Sequence, residues 1–206
     1  MLLKIHPDNP QLKKLEKAIS ILKNGGVIIY PTDTAYGIGC DVFNKKAVER
    51  ICRIKNIEVK KHNFSFICHD LSHISDFTKQ LERRHYRIMK NLLPGPYTFI
   101  LKANNHIPRL FKNKKRTIGI RVPDHKIPRE IVRLLGNPIL TTSVKHEDAS
   151  LGYILDPELI YERMKKQVDL VIAGDIASKE VSTVLDCTVE NIVIRREGKG
   201  EVNFDL

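Results

Sequence analysis

Two threonines, an aspartate and a tyrosine crowd into Thr32-Asp33-Thr34-Ala35-Tyr36, with a single alanine between them. Hydroxyls and a carboxylate at such spacing can hold a small polar ligand by hydrogen bonding. What precedes them is apolar, a run of β-forming residues, Val27-Ile28-Ile29-Tyr30, that ends on Pro31. Proline cannot donate to a sheet ladder, so the strand stops there. The polar groups then fall just past a strand's carboxyl end, where open α/β sheets usually bind small molecules. Gly37 and Gly39 follow and are read as a sharp turn or a close approach of backbone to ligand. An ordinary polar turn after a strand explains the same string equally well on its own.

Further strings repeat the pattern of polar groups beside an apolar strand. Lys112-Asn113-Lys114-Lys115-Arg116 leads into Thr117-Ile118-Gly119-Ile120-Arg121-Val122-Pro123-Asp124. Ile139-Leu140 leads into Thr141-Thr142-Ser143, and Val181-Ser182-Thr183-Val184-Leu185-Asp186 precedes Ile194-Arg195-Arg196-Glu197-Gly198. Arg195 and Arg196 alternate to opposite faces of a strand, so only one of them serves a common site. The run 112–116 is by habit a solvated loop; here it is expected to border the pocket and meet phosphates.

The elements that must position these groups alternate along the chain. Leu12, Leu15, Ile19 and Leu22 fall at helical spacing, and Asn24-Gly25-Gly26 is the stop. Asn44 caps a second helix that buries Ala47, Val48, Ile51 and Cys52. Strands are expected over 64–68, 97–101, 117–122, 138–142, 170–173, 183–187 and 192–195. Helices are expected over 81–93, from Pro128 with Ile127, Ile131, Leu134 and Leu135 on one side, and from Asp156-Pro157. Such alternation argues for an α/β domain on a mixed sheet. No G-x-G-x-x-G follows a strand, no G-x-x-x-x-G-K-[ST] occurs, and Gly198-Lys199-Gly200 is too short for a phosphate loop.

The bulk numbers narrow the class. The 206 residues suffice for one domain with a real core. With 42% hydrophobic and 29% charged residues the chain reads as a soluble globular protein. No apolar run is long enough to span a membrane, and the N-terminus does not read as a secretory signal. Four cysteines without a C-x-x-C pair suit structural thiols in a reducing, cytoplasmic setting, with no zinc site. The net charge of +11 favours polyanionic partners. With 6% aromatic residues and no tryptophan, base stacking is not expected, and phosphate contact and shape would dominate duplex binding.

Taken in order, these strings resemble the YrdC/YciO family from about Leu15 to Gly198, most specifically in Tyr30-Pro31-Thr32-Asp33-Thr34-Ala35-Tyr36-Gly37-Ile38-Gly39 and Pro94-Gly95-Pro96-Tyr97-Thr98-Phe99. The stretches 61–72 and 117–123 look closest to the YciO branch. The resemblance implies one YrdC-like domain over 1–206, a twisted mixed sheet flanked by helices with a concave basic face. It also implies synthesis of L-threonylcarbamoyladenylate from ATP, threonine and bicarbonate, with Mg2+ accompanying ATP, for tRNA modification. Thr34, Tyr36 and Arg121 would then lie at the amino acid, the arginine fork suiting its carboxylate. Lys55, Thr117, Thr141, Ser143 and Arg196 would bind the nucleotide. Double-stranded RNA or tRNA, and other tRNA-modification proteins, are the implied partners.

Two departures weigh against catalysis. The K-x-R-P string of the synthases reads Lys55-Asn56-Ile57-Glu58, so the arginine is lost, and S-x-N reads Ser143-Val144-Lys145. Each lost charge-assisted contact is worth about 1.5–3 kcal/mol. A non-catalytic double-stranded RNA-binding protein is therefore the alternative reading.

Overall fold

The computed structural model describes residues 1–58, 64–108, 111, 116–144, 155–174 and 178–202. The elements run β1 (Leu2–Lys4), α1 (Leu12–Lys23), β2 (Ile28–Tyr30), β3 (Gly37–Asp41), α2 (Lys45–Lys55), β4 (Ser65–Ile67), α3 (Leu71–Ser75) and α4 (Arg83–Leu92). Then follow β5 (Tyr97–Lys102), β6 (Thr117–Arg121), α5 (Lys126–Leu135), β7 (Ile139–Ser143), α6 (Pro157–Met164), β8 (Leu170–Ala173), β9 (Thr183–Asp186) and β10 (Val193–Arg196). The strands form a single mixed sheet in the order β1-β8-β2-β3-β7-β4-β6-β5-β9-β10.

Local sequence accounts for most helix ends. Asn44 accepts a hydrogen bond from Ala47 N and α2 buries Ala47, Val48, Ile51 and Cys52, as its spacing requires. Asp156 caps α6 with Pro157 in its first turn. Gly136 ends α5 at a φ of 84°, a left-handed turn natural to glycine. In α1 the buried stripe is Leu15, Ala18, Ile19 and Leu22, whereas Leu12 is exposed. The apolar stripe is thus one turn shorter than the spacing suggests.

Each sheet face has its own core. One face carries Ile38, Phe66, Phe99, Leu101, Ile118, Ile120 and Leu140 against side chains of α2, α3, α4 and α6. On the other, α1 and α5 cover Ile28, Tyr30, Ile67, Ile139 and Leu170. Beyond the reach of α1 and α5 that second face turns polar. Register places Ser65 beside Gly119 and beside Thr141, and Thr141 beside Gly39, so these residues share one face.

Gly37 and Gly39 differ from expectation: they form no turn but lie inside β3, paired to β2 and β7. Their missing side chains admit the Tyr30 ring. A Cβ on Gly39 would stand 2.6 Å from the Leu140 carbonyl oxygen and 2.6 Å from Ile139 Cγ2. Gly39→Ala is therefore expected to cost about 1–3 kcal/mol by overpacking, a fall of roughly 2–12 °C in Tm, measurable by thermal denaturation.

Candidate functional site

Alternation along β6 buries Ile118 and Ile120 and turns Thr117, Gly119 and Arg121 to the polar face. Four strand steps separate β6 from β2, and a twist of roughly 20–25° per step turns one about a right angle from the other. The end of β6 meets the segment leaving β2 in this way. One terminal nitrogen of Arg121 donates to Asp33 Oδ1 at 2.8 Å and to Thr34 Oγ1 at 2.9 Å. The second Asp33 oxygen accepts from the Asp124 amide at 3.0 Å. The two side chains of this ion pair are only 12% and 8% exposed. Thr34 Oγ1 also lies 3.1 Å from the hydroxyl of Thr32. Arg121 Nε is buried and has no hydrogen-bond partner among the described residues. Buried donors are rarely left unpaired, and an unpaired guanidinium N–H is suited to a carboxylate or phosphate.

A second guanidinium faces the first. Arg196 donates to the Ser182 carbonyl oxygen from Nε at 3.1 Å and from Nη2 at 2.8 Å, and to Ser182 Oγ at 3.2 Å. Ser182 Oγ in turn lies 2.7 Å from Thr98 Oγ1. Burial lowers the Arg196 pKa from its ordinary value, and the like charge of Arg121 lowers it further. Arg195 takes the other direction and binds Asp186 at 2.7 Å, so a single arginine of the pair joins the cluster. Lys199 adds a third cation, its Nζ donating to the Asp33 carbonyl oxygen at 2.7 Å.

A row of hydroxyls continues from these cations. The Tyr30 hydroxyl donates to Thr141 Oγ1 at 2.7 Å. Burial raises the Tyr30 pKa strongly, the Thr141 bond and the charge of Arg121 offset part of this, and the phenol stays neutral. Lys55, in the last turn of α2, donates to the Ser143 carbonyl oxygen at 3.0 Å. Ser143 pairs with Gly37, three residues after Thr34, so both flank the same end of β3.

Thr34, Arg121 and Arg196 are thus brought together. Thr141 joins them through Tyr30, Thr117 shares the β6 face of Arg121, and Lys55 and Ser143 form an adjacent pair. Tyr36 departs from the expectation of direct contact. It is 0% exposed, within the larger core, and its hydroxyl accepts from the Gly174 amide at 3.3 Å. Of the basic run 112–116, only Arg116 lies within the described residues, and Lys145 and His146 lie outside them.

Asp33 and Lys199 were not among the expected ligand-binding residues. Asp33 stood in the opening string, but nothing in the sequence paired it with Arg121, 88 residues away. Lys199 lies between two glycines whose role is close packing. A Cβ on Gly198 would meet the Val181 carbonyl oxygen at 2.3 Å, and one on Gly200 would meet the Tyr97 ring at 2.4 Å. The segment therefore lies flat on its neighbours and aims Lys199 at Asp33.

Beyond β4, His69 Nδ1 and His73 Nδ1 lie 3.0 Å apart. Burial lowers the His73 pKa, and nearby His69 lowers it further against the opposing pull of Asp76 and Asp70. The folded chain thus resists a proton that the unfolded chain accepts near pH 6.5. Stability from this residue is present above that pH and is lost as pH falls through the lower folded pKa. Tm is expected to drop between about pH 7 and pH 5, and His73→Gln to flatten the slope in a pH series of thermal melts.

The family profile described as Telomere recombination (Sua5_yciO_yrdC) matches residues 20–198, and the chain belongs to the Sua5/YciO/YrdC family. Among its relatives, YciO of Escherichia coli (strain K12) is 44% identical over 199 residues, covering 96% of this chain and 95% of that protein. The crystal structure of E. coli YciO matches with a TM-score of 0.90 at 42% identity, covering 98% of each chain. A threonylcarbamoyl-AMP synthase of Coxiella burnetii (strain RSA 493 / Nine Mile phase I) is 25% identical, covering 89% of this chain and 97% of that protein. The crystal structure of P. abyssi Sua5 complexed with L-threonine shares the fold, with a TM-score of 0.83 at 21% identity, covering 96% of this chain and 57% of that one. No helix among the described residues is long and apolar enough to cross a membrane.

Proposed function

We propose that the polar face is a basic, anion-binding surface on which L-threonine, bicarbonate and ATP are joined into L-threonylcarbamoyladenylate, for tRNA modification. The observation that carries this reading is the buried, unpartnered Nε of Arg121 beside Thr34 and opposite Arg196. The naming of the Coxiella relative as a threonylcarbamoyl-AMP synthase and the L-threonine bound to the Sua5 fold support it.

In this reading the unpaired Nε of Arg121 and the Thr34 hydroxyl hold the amino acid by its carboxylate. The threonine amine condenses with bicarbonate, losing water and giving a carbamate. A carbamate oxygen then attacks the α-phosphorus, forming a new P–O bond as the bond to pyrophosphate breaks. Arg196, Lys199 and Lys55 neutralise the phosphates, while Thr117, Thr141 and Ser143 orient the nucleotide. The protein contributes position and charge, with no covalent intermediate. Magnesium would arrive on the triphosphate, as is its habit, because both Asp33 oxygens are already engaged. Four buried free thiols and dependence on ATP suit the cytoplasm.

The purified protein with ATP, L-threonine, bicarbonate and magnesium is expected to release pyrophosphate only when threonine is present, with the adenylate detected by mass spectrometry. Retained ATP or RNA binding without that signal would favour the non-catalytic RNA-binding reading, which the position of Ile57 supports. Ile57 packs against the larger core, where the synthases carry a cation. Ile57→Arg is expected to raise turnover about ten-fold or more if a phosphate contact worth about 1.5–3 kcal/mol is restored.

A further inference from the structure

A second basic feature lies on the opposite face of the sheet, on the helix that buries Met89 in the larger core. A cleft of about 640 Å³ there is lined by Lys79, Arg83, Tyr86, Arg87 and Lys90, among others, and by no acidic residue among those described. We propose that this cleft and the exposed face of α4 bind a single strand of nucleic acid, its phosphates on the cations and a base on Tyr86. The proposal does not rest on the adenylate-forming reading, since it uses none of those residues.

Arg83, Arg87 and Lys90 stand at i, i+4 and i+7, one stripe of the helix, and Tyr86 falls within it. The rise of 1.5 Å per residue separates the three cations by about 6 and 4.5 Å along the axis. A row of cations on one side of a helix can neutralise the phosphates of a strand laid along it. Like charges at this spacing destabilise a helix unless something neutralises them. Some exposed cations of other helices are paired, Lys45 with Glu49, Arg133 with Glu130 and Lys165 with Glu162. Among the described residues none of Lys79, Arg83, Arg87 and Lys90 has an acidic partner. An external polyanion completes the arrangement.

Two observations choose a nucleic acid over a membrane surface. A helix lying in a bilayer interface exposes its apolar side, whereas α4 turns Met89 inward and packs Ile88 and Leu92 against the core. Tyr86 is 44% exposed in the middle of the cations, and a solvent-facing ring among cations is the combination that binds unpaired bases. The low aromatic content of the chain gave no hint of such a position.

The test is fluorescence anisotropy of the full chain with labelled oligouridylate, and its DNA counterpart, of about 12 nucleotides. Arg83→Gln/Arg87→Gln/Lys90→Gln is expected to weaken binding at least ten-fold at low salt and to flatten log K against log salt by about 2 units. Tyr86→Ala should weaken binding about five-fold with the slope unchanged. The DNA arm shows whether the ribose hydroxyl contributes. Threonine-dependent pyrophosphate release should be unaltered in both variants, and Arg87→Gln alone serves if the triple variant melts early. Wild-type affinity and slope in the triple variant would overturn the proposal. So would loss of binding to phosphatidylserine vesicles in that variant while oligonucleotide binding persists.

Discussion

Arg121→Ala is expected to abolish threonine binding and to lower the stability of the chain at the same time. Asp33 would remain buried at 8% exposure without its counter-charge, and breaking a buried pair from one side costs about 3–5 kcal/mol. For a chain of this size that is a fall of roughly 6–20 °C in Tm. The double variant Arg121→Ala/Asp33→Ala separates the two effects. Removing both charges should recover much of the stability, since a buried pair contributes little net, while binding stays lost. Calorimetry and thermal melts on the four members of the cycle give the coupling directly. Arg121→Lys should bind weakly at best, because an ammonium keeps the charge but not the fork.

Arg196→Ala is expected to show the opposite balance. Burial lowers the Arg196 pKa first, and the like charge of Arg121 adds a smaller repulsion. Removing one relieves that repulsion but also takes away three hydrogen bonds to Ser182, so Tm should change little. Phosphate binding should fall about ten- to a hundred-fold, the range for a lost contact to a charged group. Stability kept where function is lost is the mark of a residue held for binding. Titration of ATP against the variant, beside its melting curve, checks both halves. A fall in Tm comparable to that of Arg121→Ala would show that Arg196 serves the fold instead.

Much of the architecture was legible in the chain because local rules govern it. Asn44 before α2, Asp156-Pro157 before α6 and Gly136 after α5 announce helix ends by capping chemistry that needs no distant partner. Pro31 marks the end of β2 for the same local reason. The strand at 37–41 was not legible. Its glycines signal a turn in isolation, and only the Tyr30 ring packing over them makes a strand the better solution. The short β1 is likewise held by pairing with β8, more than 160 residues away.

The site divides along the same line. Thr34, Arg121, Thr141 and Arg196 each lie at or beside a recognisable strand, so their positions could be read. Their partners could not, because Asp33–Arg121 and Lys199–Asp33 depend on how a twisted sheet brings distant segments together. Tyr36 shows the converse: a polar residue within the opening string turned into the larger core.

Titration of L-threonine and of L-threoninol into the wild-type protein probes the receptor most directly, since the alcohol carries a neutral hydroxymethyl group in place of the carboxylate. Saturable heat with threonine, none with threoninol, and none for either ligand with Arg121→Ala is the predicted pattern. Equal binding of the two ligands, or threonine bound as tightly without the guanidinium, would contradict the assignment of Arg121 as the group that receives the acid.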